Sequence, residues 1–285
     1  MHMINENTRI GVVGLGLLGG SYIKGLKKAG YENLVGIDID TEAVEYAKYS
    51  GWIKDGGDDP SLVKDCDLVV FALYPHVFVS WLQENQQYLK SGCLITDVTG
   101  VKRTVIAQVN SILRKDVEFI ACHPMAGREY KGIQYSDETR FTSANFIIVP
   151  TASNTQAAID TARQLAQILH FRSITTLTAE EHDRMIGYLS QLTHVIAVCL
   201  MNANDNPDLA QYTGDSFRDL TRIAKINENM WPELFILNKD DLSEELESFI
   251  HELQDFEDLL EKEDVEGMKE KMIQSTKRRK EFDKA

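Results

Sequence analysis

The sequence predicts an α/β fold: a doubly wound parallel sheet over residues 1–177, followed by an all-helical part over residues 178–285. Three observations carry this. Short apolar runs alternate with helical patterns up to Leu177, the order expected of βαβ units. Runs such as Leu68-Val69-Val70-Phe71 are apolar throughout, as strands covered by helices on both faces are. After Leu177 no strand pattern recurs and the apolar spacing becomes helical. A chain of 285 residues also exceeds the usual size of one domain, so two are expected, divided near Leu177.

Taken in order, strands are expected at Arg9–Val13, Leu34–Asp38, Leu68–Leu73, Leu94–Asp97, Glu118–Ala121, Asn145–Val149 and Ser173–Thr176. Helices fall between them, among them Leu17–Ala29, Thr41–Tyr49 and Thr155–Leu169. The helical part opens at Thr178-Ala179-Glu180-Glu181, a capping box with a hydroxyl at the N-cap and a glutamate three residues on. Between Arg184 and Asp205, twenty residues carry no Lys, Arg, Asp or Glu, long enough to span a bilayer. Ser190, Gln191, Thr193, His194 and Asn202 within it favour a buried helix instead. From Asp240 to Glu266 thirteen residues are acidic and only Lys262 is basic. Leu242, Leu246, Phe249, Leu253, Phe256 and Leu260 step by four and three, a heptad-like seam. Such a seam packs within its own subunit or pairs two subunits; a homodimer through the helical domain is the expectation.

Composition narrows the function. With 43% hydrophobic and 26% charged residues the chain is ordinary globular protein. Its formal charge of −14 argues against wrapping nucleic acid, which needs Lys and Arg on phosphates. The basic run Lys277-Arg278-Arg279-Lys280 suits the end of a last helix, where cations complement the dipole. Cys66, Cys93, Cys122 and Cys199 form no CxxC pair and no zinc spacing, so buried reduced thiols and no metal are expected. The polar stretch Met1–Arg9 reads as no secretory signal, and a cytoplasmic protein with no membrane partner follows.

Gly14-Leu15-Gly16-Leu17-Leu18-Gly19 is a GxGxxG element placed after the strand Arg9–Val13 and at the start of a helix. In that setting it marks a Rossmann-type dinucleotide site. Gly14 permits a tight turn, Gly16 lets the backbone approach a diphosphate, and Gly19 lets helix and strand pack closely. Backbone N–H groups and the positive helix end then hold the diphosphate without Lys or Arg. Asp38, nineteen residues after Gly19, ends the next strand, where it would accept hydrogen bonds from the ribose hydroxyls. With Asp40 beside it, a 2′-phosphate would meet negative charge, so NAD is expected over NADP. By analogy the loop at Leu73-Tyr74-Pro75 lines the adenosine side.

His123, in His123-Pro124-Met125-Ala126-Gly127, follows directly on the strand Glu118–Ala121. Ligands of open parallel sheets sit at the carboxyl ends of strands, so this histidine is placed to face the cofactor. Asp183, Gly187, Ser190 and His194 step by 4, 3 and 4 along one apolar helix. This stripe is either a hydrogen-bonded helix seam or the wall of a polar cleft. Arg218, Arg222 and Lys225 would line one helix face, either as a solvated cationic edge or for an anionic substrate.

The glycine element, His-Pro-Met-Ala-Gly and Gly214-Asp215-Ser216-Phe217-Arg218-Asp219-Leu220-Thr221-Arg222-Ile223-Ala224, with Trp231 following, together resemble the prephenate/arogenate dehydrogenase family of tyrosine biosynthesis. The likeness runs in motif order over nearly the whole chain. It implies that His123 accepts a hydrogen bond from the substrate's ring hydroxyl and helps remove its proton. It implies substrate binding by His194 and Arg222, and cleft-shaping roles for Ser190, Asp183, Glu129, Asp219 and Trp231. In Asp97-Val98-Thr99-Gly100-Val101-Lys102 the chain departs from the family, which often has serine where Gly100 stands. Thr99, counted on the cofactor side, or a water would then take that place.

The implied reaction is NAD-dependent oxidative decarboxylation of prephenate to 4-hydroxyphenylpyruvate. Arogenate, with an amine in place of the side-chain keto group, is the alternative substrate. A hydroxyacid or imine reductase, and an NAD-binding regulator without turnover, are further alternatives. The Arg-Asp-Leu-Thr-Arg element weighs against the reductases.

Overall fold

The computed structural model describes residues 3–127 and 130–283. Its sheet comprises β1 (Ile10–Val13), β2 (Leu34–Ile37), β3 (Asp55–Gly57), β4 (Leu68–Phe71), β5 (Leu94–Asp97), β6 (Glu118–Pro124), β7 (Asn145–Val149) and β8 (Ser173–Thr176). The strand order is β3-β2-β1-β4-β5-β6-β7-β8. The first six in sequence run parallel in the doubly wound 3-2-1-4-5-6 arrangement, which reverses direction between β1 and β4. Every residue of β1, β2, β4 and β5 is buried, which explains the absence of polar side chains from β1, β2 and β4. The helices α1 (Leu17–Lys28), α2 (Thr41–Tyr49), α3 (Pro75–Asn85), α4 (Arg103–Ile112) and α5 (Gln156–Ile168) alternate with them. Asp40 caps α2 by accepting from the N–H groups of Glu42 and Ala43.

Three expectations about the sheet are corrected. β3 has the sequence Asp-Gly-Gly, which no strand propensity signals. It forms by pairing with β2, and a Cβ on Gly56 would lie 2.5 Å from the Gly36 carbonyl oxygen. The sheet is mixed rather than parallel, because β7 runs antiparallel to β6 and β8 follows β7. Between β6 and β7 the described residues make two 3-10 turns, Ile133–Tyr135 and Glu138–Ser143, in place of a crossover helix. Finally, β6 runs on to Pro124, so His123 lies on the strand, opposite Ile147, and not after it.

Beyond β8 the capping box at Thr178 and Glu181 opens α6 (Ala179–Ile186). The helix continues through a π-helical stretch, Gly187–Leu192, into α7 (Thr193–Asn202). A π turn takes one residue more than an α turn, so the 4, 3, 4 spacing from Asp183 to His194 does not describe one helix face. Asp183 and Gly187 are buried, while Ser190 and His194 are half-buried. The apolar stretch is helical but not the buried helix expected of it: Met185, Tyr188, Leu189 and Met201 are exposed. By length and composition alone, Ala179–Asn202 is apolar enough to cross a membrane. Shorter helices follow, α8 (Leu209–Tyr212), α9 (Asp215–Thr221) and α10 (Trp231–Leu237). Because α9 ends at Thr221 and a 3-10 turn runs from Arg222 to Ala224, Arg218, Arg222 and Lys225 do not share one helix face. Cys199 is exposed, against the expectation for it; Cys66, Cys93 and Cys122 are buried.

By internal contacts Met1–Asn238 is one compact unit and Lys239–Ala285 a second. The second consists of α11 (Lys239–Glu261) and α12 (Val265–Phe282), a hairpin in which Lys271 pairs with Glu252 at 2.9 Å. Leu259 meets α12 at Gly267, where an added Cβ would come within 2.7 Å of its Cδ2. Leu253, Phe256 and Leu260 of the seam stay exposed at 55%, 37% and 60%.

Candidate active site

The glycine turn joins β1 to α1 at the reversal of strand order. Gly14 has φ +92°, and a Cβ there would meet the Ala72 carbonyl oxygen at 2.5 Å and Leu73 Cδ2 at 2.9 Å. Gly19 packs so closely that its Cβ would lie 1.7 Å from the Gly14 carbonyl oxygen. A Cβ on Gly16 would meet nothing within 4 Å, so the backbone there borders open space. α1 has no side-chain cap and no acid in its first turn, which leaves the N–H groups of Leu17, Leu18 and Gly19 for an anion. The Leu15 side chain is in the core, and its N–H donates to Asp38 Oδ2 at 2.5 Å. Asp38 Oδ1 accepts from the Asp40 N–H at 2.8 Å, which fixes the carboxylate at the end of β2. This set fits a dinucleotide: open backbone for the diphosphate and an anchored carboxylate for ribose hydroxyls, with Asp40 adding negative charge where a 2′-phosphate would lie.

On the adjoining side, Leu73 borders the glycine turn and Pro75 begins α3. Tyr74 Oη accepts from Asn227 Nδ2 at 2.9 Å, and His76 is bound twice by Glu233, N–H to Oε1 at 2.6 Å and Nδ1 to Oε2 at 2.7 Å. The loop after β4 is thereby tied to α10 and the turn before it.

His123 occupies the carboxyl end of β6. Its Nδ1 lies 2.9 Å from His182 Nε2, and His182 Nδ1 lies 2.7 Å from Asp183 Oδ1. Asp183 also accepts from the N–H groups of Lys102, at 2.7 Å, and Arg103, at 2.8 Å, where α4 starts. Burial holds the His123 pKa well below the usual histidine value, and the neighbouring His182 and Lys102 push the same way. Burial also lowers His182, more than its bond to Asp183 raises it. For Asp183 burial favours the neutral acid, but the bonds from His182 and the Arg103 and Lys102 N–H groups outweigh it, and the carboxyl is held below its ordinary range. A Cβ on Gly100 would lie 4.0 Å from His123 Cε1 and 3.5 Å from Leu234 Cδ1, so a serine there would fit against the histidine.

Thr99 does not stand in for that serine. Its hydroxyl donates to Asp97 Oδ2, inside a buried cluster. There Lys102 Nζ reaches Asp97 Oδ2 at 2.6 Å, the Cys122 carbonyl at 2.6 Å and Thr99 Oγ1 at 3.2 Å. Asp97 Oδ1 accepts from the Cys122 N–H at 3.0 Å. The cluster ties the end of β5 to β6 one residue before His123.

His194 lies against Trp231, ring centroids 3.8 Å apart, and its Nδ1–H donates to the Ser190 carbonyl at 2.8 Å. Ser190 thus holds the His194 ring through its backbone carbonyl. The Arg222–Ala224 turn packs against α7, which brings Arg222 to the helix of His194. Trp231 and Leu234, one turn apart on α10, connect the His194 side with the His123 side. Arg218 is drawn elsewhere, donating to the Thr213 carbonyl at 2.9 Å and facing Asp215 at 3.5 Å. Asp219 is exposed, and Glu129 lies outside the described residues. His182, Asp97 and Lys102 were not singled out from the sequence. The signal for His182 was present in its i−1 relation to Asp183 near a helix start; for Lys102 it was a Lys-Arg pair where the helix after β5 begins.

A dinucleotide-type sheet with a buried histidine at the carboxyl end of a strand is an arrangement suited to a dinucleotide-dependent oxidoreductase. The description "prephenate dehydrogenase, nucleotide-binding domain" matches residues 23–175, and "prephenate dehydrogenase, dimerization domain" matches residues 178–274. The chain belongs to the prephenate dehydrogenase family. It is 28% identical over 265 residues to the Bacillus subtilis prephenate dehydrogenase, covering 90% of this chain and 71% of that one. It is 30% identical over 249 residues to the Lactococcus lactis prephenate dehydrogenase, covering 85% and 68%. The crystal structure of Aquifex aeolicus prephenate dehydrogenase in complex with hydroxyphenyl propionate and NAD+ superposes with a TM-score of 0.89 at 27% identity, covering 96% of this chain and 98% of that one.

Proposed function

We propose that the protein is an NAD-dependent prephenate dehydrogenase, converting prephenate to 4-hydroxyphenylpyruvate and CO2. The single observation that supports this most is His123, kept neutral at the end of β6 and backed by His182. A neutral imidazole accepts a proton; an imidazolium does not. Residues 1–177 would hold the dinucleotide and residues 178–285 the substrate and a second subunit. Gly14, Gly16, Gly19 and the N–H groups of Leu17 and Leu18 would hold the diphosphate, with Asp38 on the ribose and Leu73 and Pro75 beside the adenosine. The bound nicotinamide supplies a hydride acceptor. The hydroxyl-bearing carbon loses its hydride to that acceptor as His123 takes the hydroxyl proton, so that carbon passes through a carbonyl. The electron pair freed as the ring carboxylate leaves as CO2 makes the ring aromatic, and the oxygen regains a proton from His123 to end as the phenol. Help of this kind is worth about 10²–10⁴-fold. Arg222 offers a planar fork for a substrate carboxylate, with His194 and Trp231 as the wall beside it. A homodimer is supported by the matched dimerization domain and by the exposed seam of α11. Mixing the protein with NAD and prephenate, and separately with arogenate, and following NADH absorbance tests the reading. Steady turnover with prephenate is expected; its absence with both substrates overturns the reading, and turnover with arogenate alone reassigns the substrate.

A further inference from the structure

The proton acceptor does not stand alone. His182 is completely buried and touches it at Nδ1. Asp183 Oδ1 can only accept, so the His182 nitrogen 2.7 Å away, Nδ1, carries hydrogen. Burial keeps His182 neutral, so its other nitrogen, Nε2, has no hydrogen and must accept. The group facing it at 2.9 Å is His123 Nδ1, which therefore carries hydrogen too. A neutral His123 with hydrogen on Nδ1 has its lone pair on Nε2. The carboxylate at the head of this series is itself held by two backbone N–H groups of the α4 start.

We propose that His182 is a positioning residue that, anchored by Asp183, fixes His123 in the Nδ1–H tautomer and so directs the His123 Nε2 lone pair at the proton to be removed. The inference rests on His123 being the proton acceptor of the proposed reaction. The two histidines and the carboxylate form a three-membered series in which each member sets the hydrogen of the next. When His123 gains its proton, His182 still accepts from Nδ1, so the new imidazolium keeps its partner.

The test has two arms. In the first, ¹⁵N spectra of the wild-type protein without substrate identify the protonated ring nitrogen of His123. Hydrogen on Nδ1 is expected, and a predominant Nε2–H form overturns the proposal whether or not the protein turns over. In the second, His182→Leu removes the acceptor and His182→Gln restores one in its Oε1. For His182→Leu kcat should fall at least about 10-fold, and up to about 10⁴-fold if the wrong tautomer predominates, with KM little changed. His182→Gln should recover most of that loss and retain the Nδ1–H signal. Equal loss in both variants, or unchanged kcat in His182→Leu, overturns the proposal. If His182→Leu does not fold, His182→Gln and the wild-type spectrum decide. A wild-type protein with hydrogen on Nδ1 but no activity with prephenate or arogenate leaves the tautomer assignment standing and removes the reaction.

Discussion

At His123, protonation and catalysis oppose each other. Activity needs the neutral ring, and burial with His182 and Lys102 nearby lowers the pKa, so the acid limb of kcat should lie below the ordinary histidine value of about 6.5. His123→Asn should lose about 10²–10⁴-fold in kcat and lose that limb. A variant in which only KM rises would send the search for the base to His194. The same lowered values act on stability. Between the folded pKa values of His123 and His182 and about 6.5, the unfolded chain binds more protons than the folded one. Stability should therefore decline as pH falls below about 6.5. Arg222, at the surface of its turn, should behave as a binding residue. Arg222→Ala is expected to raise KM by about 10- to 100-fold, the worth of one charge-assisted hydrogen bond, and to spare kcat. Asp38 sets cofactor choice: kcat/KM should favour NAD over NADP, and Asp38→Ser should narrow the gap. Equal values in the wild type would contradict the role given to Asp38.

Among the elements, the β1–α1 turn separates packing from binding within six residues. Gly19→Ala pushes a methyl into the Gly14 carbonyl and should cost about 1–3 kcal/mol or more, lowering Tm by several degrees and abolishing cofactor binding. Gly16→Ala meets open space and should fold normally, yet weaken NADH binding as followed by fluorescence. Equal Tm losses in the two would refute the separation. These roles were legible in the sequence because a glycine motif after a strand has one geometric solution. The last stretch of β6 was not legible, because Cys122-His123-Pro124 has no strand signature; it extends only because β7 returns alongside it in the opposite sense. β3 is the same kind of case, a strand made by its neighbour. The His182–Asp183 support escaped for a related reason: the residues that meet across β6 and α6 are fifty-nine apart in the chain.

For the whole molecule, the chain carries −14 in net charge, thirteen acids within Asp240–Glu266, and exposed Leu253, Phe256 and Leu260 on α11. Pairing with a second copy would cover that apolar seam. Light scattering should give a dimer at micromolar concentration. Leu253→Glu with Phe256→Glu should give a monomer that keeps the far-UV signal of its helices, and a wild-type monomer would count against the pairing. The heptad seam was readable from the sequence. The distribution of exposed residues along α6 and α7 was not, since the apolar composition of that stretch suits burial, membrane and partner alike.

The π-helical stretch Gly187–Leu192 stands between the helix of His182 and that of His194. It holds one residue more per turn than the α-helix on either side. A chain shortened by one residue within Gly187–Leu192 can rewind as α-helix and leave both histidines in phase. Adding one residue there, where the helix already holds its extra residue, instead swings His194 by about 100° and shifts it about 1.5 Å along the axis, away from Trp231. Length changes in this stretch are thus tolerated in one direction and disruptive in the other.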